Sequence, residues 1–270
     1  MKNFATRDAV MMNPFSESTL PRLTGVVDLK ASQCVHAIKG DRANYQPLRW
    51  PSRDGDREIG TPQRLVEHYH QLGLRSIYIA DLDSLGGKPV QFQAMEEALS
   101  PFEDLESILM DPGLRGIDLM DQLDVSRVCD AIQLANRFSK STIVLASESV
   151  RDLRAFEVLA ERIGPERVAL GLDYHAERFR TVDTDTRESD WLAAAQRIGI
   201  RQIVIIDTYR VGTSGGPTLG EICRRISEAF PDFCITAGGG IRNTEDVETL
   251  RCCGCDRFLV ATALLPPHPG

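Results

Sequence analysis

The chain has 270 residues, 42% apolar and 26% charged, an ordinary make-up for a soluble globular protein with room for one α/β barrel or two smaller domains. Its 39 acidic residues outnumber 31 lysines and arginines, and the net charge of −8 speaks against nucleic acid or an anionic membrane as the main partner. A small anionic ligand stays open, because local backbone donors can hold one whatever the net charge.

The opening "MKNFATRDAVMMNPFSESTLP" has no apolar core fit for a signal peptide, and no later run approaches the roughly 20 apolar residues that span a bilayer. A cytoplasmic protein is expected. Seven cysteines then read as reduced thiols rather than a disulfide framework. The cluster "RCCGC" (Cys252, Cys253, Cys255) lacks paired CxxC spacing and has only His268 near it, so structural thiols are expected and no metal site.

Eight short β-branched runs follow in chain order: "LTGVVDLK" (23–30), "SIYIADLD" (76–83), "LESILMD" (105–111), "STIVLAS" (141–147), "RVALGLD" (167–173), "QIVIIDT" (202–208), "FCITAGG" (233–239) and "RFLVATA" (257–263). Runs apolar on both faces are what a parallel sheet requires. Segments of helical period separate them at 61–74, 124–138, 152–164, 189–200, 218–231 and 243–254. Thr61 before Pro62, and Asn243 three residues before Asp246, read as helix N-caps. The alternation predicts an α/β fold, a (β/α)8 TIM barrel. No Gly/Pro-rich linker divides it, so one domain is expected, with residues 1–21 as an extension and 22–265 as the barrel. Residues 31–60 break the rhythm and read as a β excursion over 34–38, then a mobile loop able to close on a substrate.

The second half echoes the first in the same order. "VVDLK" answers to "GLDYH", "ADLDSLGG" to "IDTYRVGTSGG", "DPGLRG" to "GGGIRN" and "VLASES" to "LVATAL", which predicts a barrel assembled from two half-barrels.

Barrel active sites lie at the C-terminal ends of the strands, which singles out Asp28, Asp83, Asp111, Asp173 and Asp207. Asp28 and Asp173 end the first and fifth strands, opposite one another in an eight-strand ring, where one can act as base and the other as acid on a single substrate. Gly238, Gly239 and Gly240 follow the seventh strand, where a missing Cβ lets backbone N–H groups approach an anion and the following helix adds its positive end. Ala261 and Thr262 after the eighth strand, and Gly212, Thr213 and Gly215 after the sixth, extend the same phosphate-binding pattern. The first-half loops are poorer: Asp111 adds charge, Pro112 removes a donor, and Glu148 adds another carboxylate, so a second phosphate is disfavoured unless Arg115 or Lys88 compensates.

From Thr24 to Leu265 the chain resembles the histidine-biosynthesis barrel family, which holds ProFAR isomerase and the cyclase subunit of imidazole glycerol phosphate synthase. The stretches that carry the likeness are "VVDLK", "KGD" (39–41), "ADLDSLGGKPV", "PERVALGLD", "GTSGGP" and "AGGGIRNTEDVETL". The resemblance implies two half-barrels, each holding one phosphate of a long substrate, cofactor-free acid/base chemistry by Asp28 and Asp173, and an acidic position kept at Asp207. A glutaminase partner, as the cyclase subunit has, is not legible, and the protein partner stays undetermined.

The departures bear on the substrate. "DPGLR" replaces the family's first-half "GGGIR", Ala146-Ser147 its Gly-Thr, Ile206 the isomerase's catalytic Thr, Val211 the Asp before loop 6's Gly-Thr, and His36 the excursion's Arg. The reading is an isomerase or lyase acting on a phosphorylated sugar-like metabolite. Alternatives are a biosynthetic role linked to tetrahydromethanopterin and methanofuran one-carbon metabolism, which the likeness to a divergent branch implies, a true ProFAR isomerase, and a non-catalytic phospholigand-binding scaffold. His36 and His175 read equally as substrate contacts or solvated residues.

Overall fold

The computed structural model describes residues 13–51, 57–116, 122–213 and 215–265; His268 lies outside them. Counting only the wall strands, β1 is Leu23–Lys30, β2 Ser76–Asp81, β3 Ser107–Asp111, β4 Ser141–Ala146, β5 Val168–His175, β6 Gln202–Asp207, β7 Cys234–Gly238 and β8 Arg257–Val260. Each runs parallel to the next, and β8 returns to β1 through Leu23↔Phe258 and Gly25↔Val260. The result is the expected closed (β/α)8 barrel.

Besides a single helical turn at Leu82–Leu85, the helices among the described residues are α1 Pro62–Gln71, α2 Phe92–Leu99, α3 Gln122–Arg137, α4 Leu153–Ile163, α5 Glu188–Ile198, α6 Gly220–Ala229 and α7 Thr244–Arg251. Thr61 Oγ1 accepts from the Arg64 amide at 3.3 Å and Asn243 Oδ1 from the Asp246 amide at 3.0 Å, so both expected caps form. Helix α2 escaped the sequence reading because it is only eight residues long and its N-cap, Gln91, makes no side-chain cap bond.

β2 and β4 are buried at every position because the wall has two apolar sides. Outward side chains such as Val27, Ile79 and Leu145 pack with Tyr69, Phe156 and Trp191 of the helices. Inward ones, Tyr78, Leu109, Val144, Ala169, Val204 and Leu259, form a second cluster that plugs the lumen beneath the mouth. At the opposite end the filling turns polar, with Arg257 Nη1 donating to Ser76 Oγ at 2.9 Å and Gln202 Nε2 to Thr142 Oγ1 at 3.3 Å. Cys253 and Cys255 are buried as expected of structural thiols, whereas Cys252 is exposed.

The half-barrel echo is visible in the backbone. β1 and β5 both run on into hairpins, Gln33–His36 pairing back at Leu29↔Cys34 and Arg178–Arg180 at Asp173↔Arg180. Each turn places two non-glycine residues at positive φ, Ala31 and Ser32 in one and Ala176 and Glu177 in the other. Each turn is also held by an aspartate from the next strand's loop, Ala31 N–H donating to Asp83 at 2.9 Å and Ala176 N–H to Asp207 at 3.1 Å. The second hairpin is not among the elements read from sequence.

The excursion after β1 holds more order than expected. Gln46–Pro47 pairs with Gln33–His36, and Arg49–Pro51 pairs with Arg57–Ile59. It docks on the loop after β6: the Lys39 amide donates to the Val211 carbonyl at 2.9 Å, and a Cβ on Gly212 would fall 2.1 Å from the Ala37 carbonyl oxygen. The N-terminal extension is anchored too, with Phe15 buried and the Thr244 amide donating to the Pro14 carbonyl at 3.3 Å.

Candidate active site

A cavity of about 530 Å³ opens at the C-terminal ends of the strands. Alternation along each strand decides what faces it: Val26 and Asp28 from β1, Tyr78 and Ala80 from β2. Asp28, Asp111 and Asp173, at the ends of β1, β3 and β5, all line it together with Glu148, just beyond β4. Four carboxylates thus converge on one space.

Burial raises the first three. Asp28 is pushed up to about 7 by desolvation, with the Arg42 guanidinium opposing the rise and Asp111 adding to it. Asp111 is pushed up to about 6 by desolvation, although the Gly113 amide (3.1 Å) and Tyr78 hydroxyl (3.1 Å) donate to its carboxylate. Asp173 is raised well above the ordinary carboxylate range by desolvation, then by the neighbouring charges of Glu148 and Asp111. The principal cation among them is Arg42, whose guanidinium pairs with Glu148 and whose carbonyl accepts from Lys30 Nζ at 2.8 Å. The excursion therefore delivers Arg42 to the acid cluster, while His36 points elsewhere, its Nε2 lying 3.4 Å from Thr262 Oγ1.

Asp207 belongs to a different structure. Fully buried, its carboxylate accepts from the Ala176 and Tyr209 amides at 3.1 and 3.0 Å and from Thr218 Oγ1 at 2.8 Å, and it is not among the residues that line the cavity. Its counterpart Asp81 is likewise fully buried and accepts from the amides of Asp83, Ser84 and Gln91. Both hold loops, so Asp207, expected as a third catalytic residue beside Asp28 and Asp173, stands outside the cavity that those two line.

Of the residues expected to hold phosphate, Gly212, Thr213, Gly239, Gly240, Ala261 and Thr262 line the cavity together, on its second-half side. Gly215 does not; a Cβ there would lie 2.5 Å from Arg210 Nη1. The glycines after β7 answer first to packing. Gly239 and Gly240 have φ of +111° and +81°, and Cβ atoms on them would lie 2.7 Å from the Asp207 carbonyl oxygen and 2.8 Å from that of Gly216. Helix α7 is self-contained at its start: Asn243 caps it, and Arg242 is bound to Asp246 through Nε and Nη2, both at 2.8 Å. The 3₁₀ turn Thr262–Leu264 begins at the cavity wall.

Ile206 lines the cavity, and two residues later Thr208 does too, its hydroxyl donating to the Tyr174 carbonyl at 2.9 Å and lying 3.2 Å from His175 Nδ1. Sequence reading passed over Thr208, Tyr45, Arg42 and Arg180, all in the lining. Only Arg42 had a local signal, directly after "KGD". Arg115 and Lys88 do not line the cavity, and Lys88 is spent on Asp83 at 2.9 Å. Among the described residues no group of three or more His, Cys, Asp or Glu side chains could hold a metal ion, and no helix is long and apolar enough to cross a membrane.

Residues 22–268 match the family described as "Histidine biosynthesis protein". The chain belongs to that family. Relatives include two ProFAR isomerases, whose names spell out a doubly phosphoribosylated imidazole carboxamide. The Thermus thermophilus one is 26% identical, covering 90% of this chain and 94% of its own, and that of Stenotrophomonas maltophilia is 29% identical, covering 88% and 92%. An uncharacterised protein of Methanocaldococcus jannaschii is 24% identical, covering 90% and 92%. The chain is an enzyme of this isomerase-type barrel family.

Proposed function

We propose that the protein is a cofactor-independent isomerase of a phosphorylated, sugar-like metabolite, with Asp28 and Asp173 exchanging protons with the substrate's carbon skeleton. The observation that supports this most is the cavity's division: carboxylates raised by desolvation on one side and the glycine-rich loops after β6, β7 and β8 on the other. An aldose–ketose type isomerisation moves a proton between neighbouring atoms. A carboxyl group pushed up to about 7 serves such a transfer in either direction near neutral pH, which favours Asp28 as one partner. Asp173 approaches from the opposite half-barrel, so the two can serve opposite sides of one substrate. The phosphate would be held by Gly212, Thr213, Gly239, Gly240, Ala261 and Thr262, anchoring the substrate away from the reacting atoms.

A true ProFAR isomerase is the second reading, favoured by relatives so named along about nine-tenths of the chain. Expression in a histidine auxotroph lacking its own isomerase separates the two, since growth supports the ProFAR reading and its absence removes it. Loss of a cellular phenotype on Asp28→Asn supports catalysis in either case; its retention would favour the non-catalytic scaffold. Neither the geometry nor the relatives' names favour the one-carbon alternative.

A further inference from the structure

We infer that the cavity takes a monophosphate whose other end carries a cationic nitrogen, with Asp111, Glu148 and Asp173 receiving that end in place of a second phosphate. This rests on the proposed phosphate grip in the loops after β6, β7 and β8. The two halves of the barrel are built on one plan, so each serves as the other's control. Where the second half presents Gly238 and Gly239 after β7, the first half presents Asp111 and Pro112 after β3. A carboxylate replaces a residue without a side chain, and an imide nitrogen replaces an N–H donor. Beyond β4 Glu148 lines the cavity, where the echoed position of the second half is the uncharged Ala263.

Charge on the acidic side is unbalanced. Asp28, Asp111, Glu148 and Asp173 line it, against Arg42 at the cluster and Arg180 from the hairpin after β5. Arg42 is already paired with Glu148. A phosphate dianion placed there would face at least two further carboxylates and force them to stay protonated. An ammonium or amidinium does the reverse: it donates hydrogen bonds to acceptor-only groups and stabilises their ionised forms. The Asp28 carboxylate accepts no hydrogen bond from the described residues and lines the cavity, so its acceptor capacity faces the space. Burial keeps Asp28 and Asp111 partly protonated near neutral pH, so a bound cation should expel protons.

The test uses calorimetric titration of the full chain with inorganic phosphate, an alkyl phosphate, the matching ω-aminoalkyl phosphate and the matching alkyl bisphosphate. The aminoalkyl phosphate is expected to bind at least about tenfold tighter than the alkyl phosphate, and the bisphosphate no tighter than the alkyl phosphate. Repeating the titration near pH 6.5 in two buffers of different ionisation heat should show more proton release for the amino probe than for the alkyl phosphate, whose own second ionisation sets the common background. Asp111→Asn with Glu148→Gln should erase the amino advantage while inorganic phosphate binds as before. Equal affinity for the alkyl and aminoalkyl phosphates, or tighter binding of the bisphosphate, overturns the inference and leaves the phosphate grip standing. Failure of every phosphate probe instead removes the grip itself. Should the double variant not fold, the wild-type ranking and proton release decide alone.

Discussion

Replacing Gly239 with alanine separates the two demands made of the loop after β7. At φ +111° an L-residue pays roughly 1–2 kcal/mol for its backbone conformation. The new Cβ would also stand 2.7 Å from the Asp207 carbonyl oxygen and 3.2 Å from its amide nitrogen, both backbone atoms of β6 that cannot swing aside. Relieving such an overlap costs a further ~1–3 kcal/mol. The sum, about 2–5 kcal/mol, corresponds to a fall in Tm of roughly 4–20 °C for a chain of this size. Gly199 supplies the control, because it has φ +92° but nothing within 4 Å of its would-be Cβ. Gly199→Ala should therefore show the conformational cost alone, about 1–2 kcal/mol. Thermal melts of both variants, followed by phosphate titration, read out the difference. Gly239→Ala should melt lower and bind phosphate more weakly, with binding unchanged in Gly199→Ala. Equal melting losses in the two variants would refute the packing argument, and undiminished phosphate binding in Gly239→Ala would refute the grip.

Asp28→Asn and Asp173→Asn should each lower turnover of the isomerase substrate by about 10²–10⁴-fold, read from steady-state kinetics. Because Asp28 is raised to about 7, the folded protein retains a proton that the unfolded chain loses in the ordinary carboxylate range, and the stability this gives is lost as pH rises through about 7. Asp28→Asn should accordingly raise Tm at about pH 8 and leave it unchanged at about pH 4; the opposite pattern would show that Asp28 is not buried against its charge. Arg42 holds Asp28 and Asp111 down, so Arg42→Gln should move the acid limb of the pH–rate profile upward, and an unmoved limb would mean that its charge is not felt there. Asp207→Ala should cost at least about 1–3 kcal/mol, measured by denaturant unfolding, because it leaves the Ala176 and Tyr209 amides and the Thr218 hydroxyl without their acceptor, while turnover per folded molecule falls far less than in Asp173→Asn.

The barrel and its duplication were legible because they rest on local pattern. Eight β-branched runs at regular spacing suffice for a parallel closed sheet, and Asp28 and Asp173 announce themselves by ending matched strands. Strand-end position is also where sequence reasoning reached its limit, since it cannot distinguish an aspartate that faces the lumen from one that turns back to hold a loop. Asp173 and Asp207 look alike in sequence, yet one lines the cavity and the other accepts three hydrogen bonds away from it. Likewise the glycines after β7 signalled close approach without saying to what, and the nearest groups prove to be the backbone of Asp207 and Gly216. Only tertiary structure joined Arg42 to Glu148 across 106 residues and brought Arg180 to the same mouth, because a local pattern can announce a hairpin but not where it lies against the barrel. Sequence periodicity thus determined the scaffold and the strand-end placement of Asp28 and Asp173, and long-range packing decided which charges surround those two carboxylates.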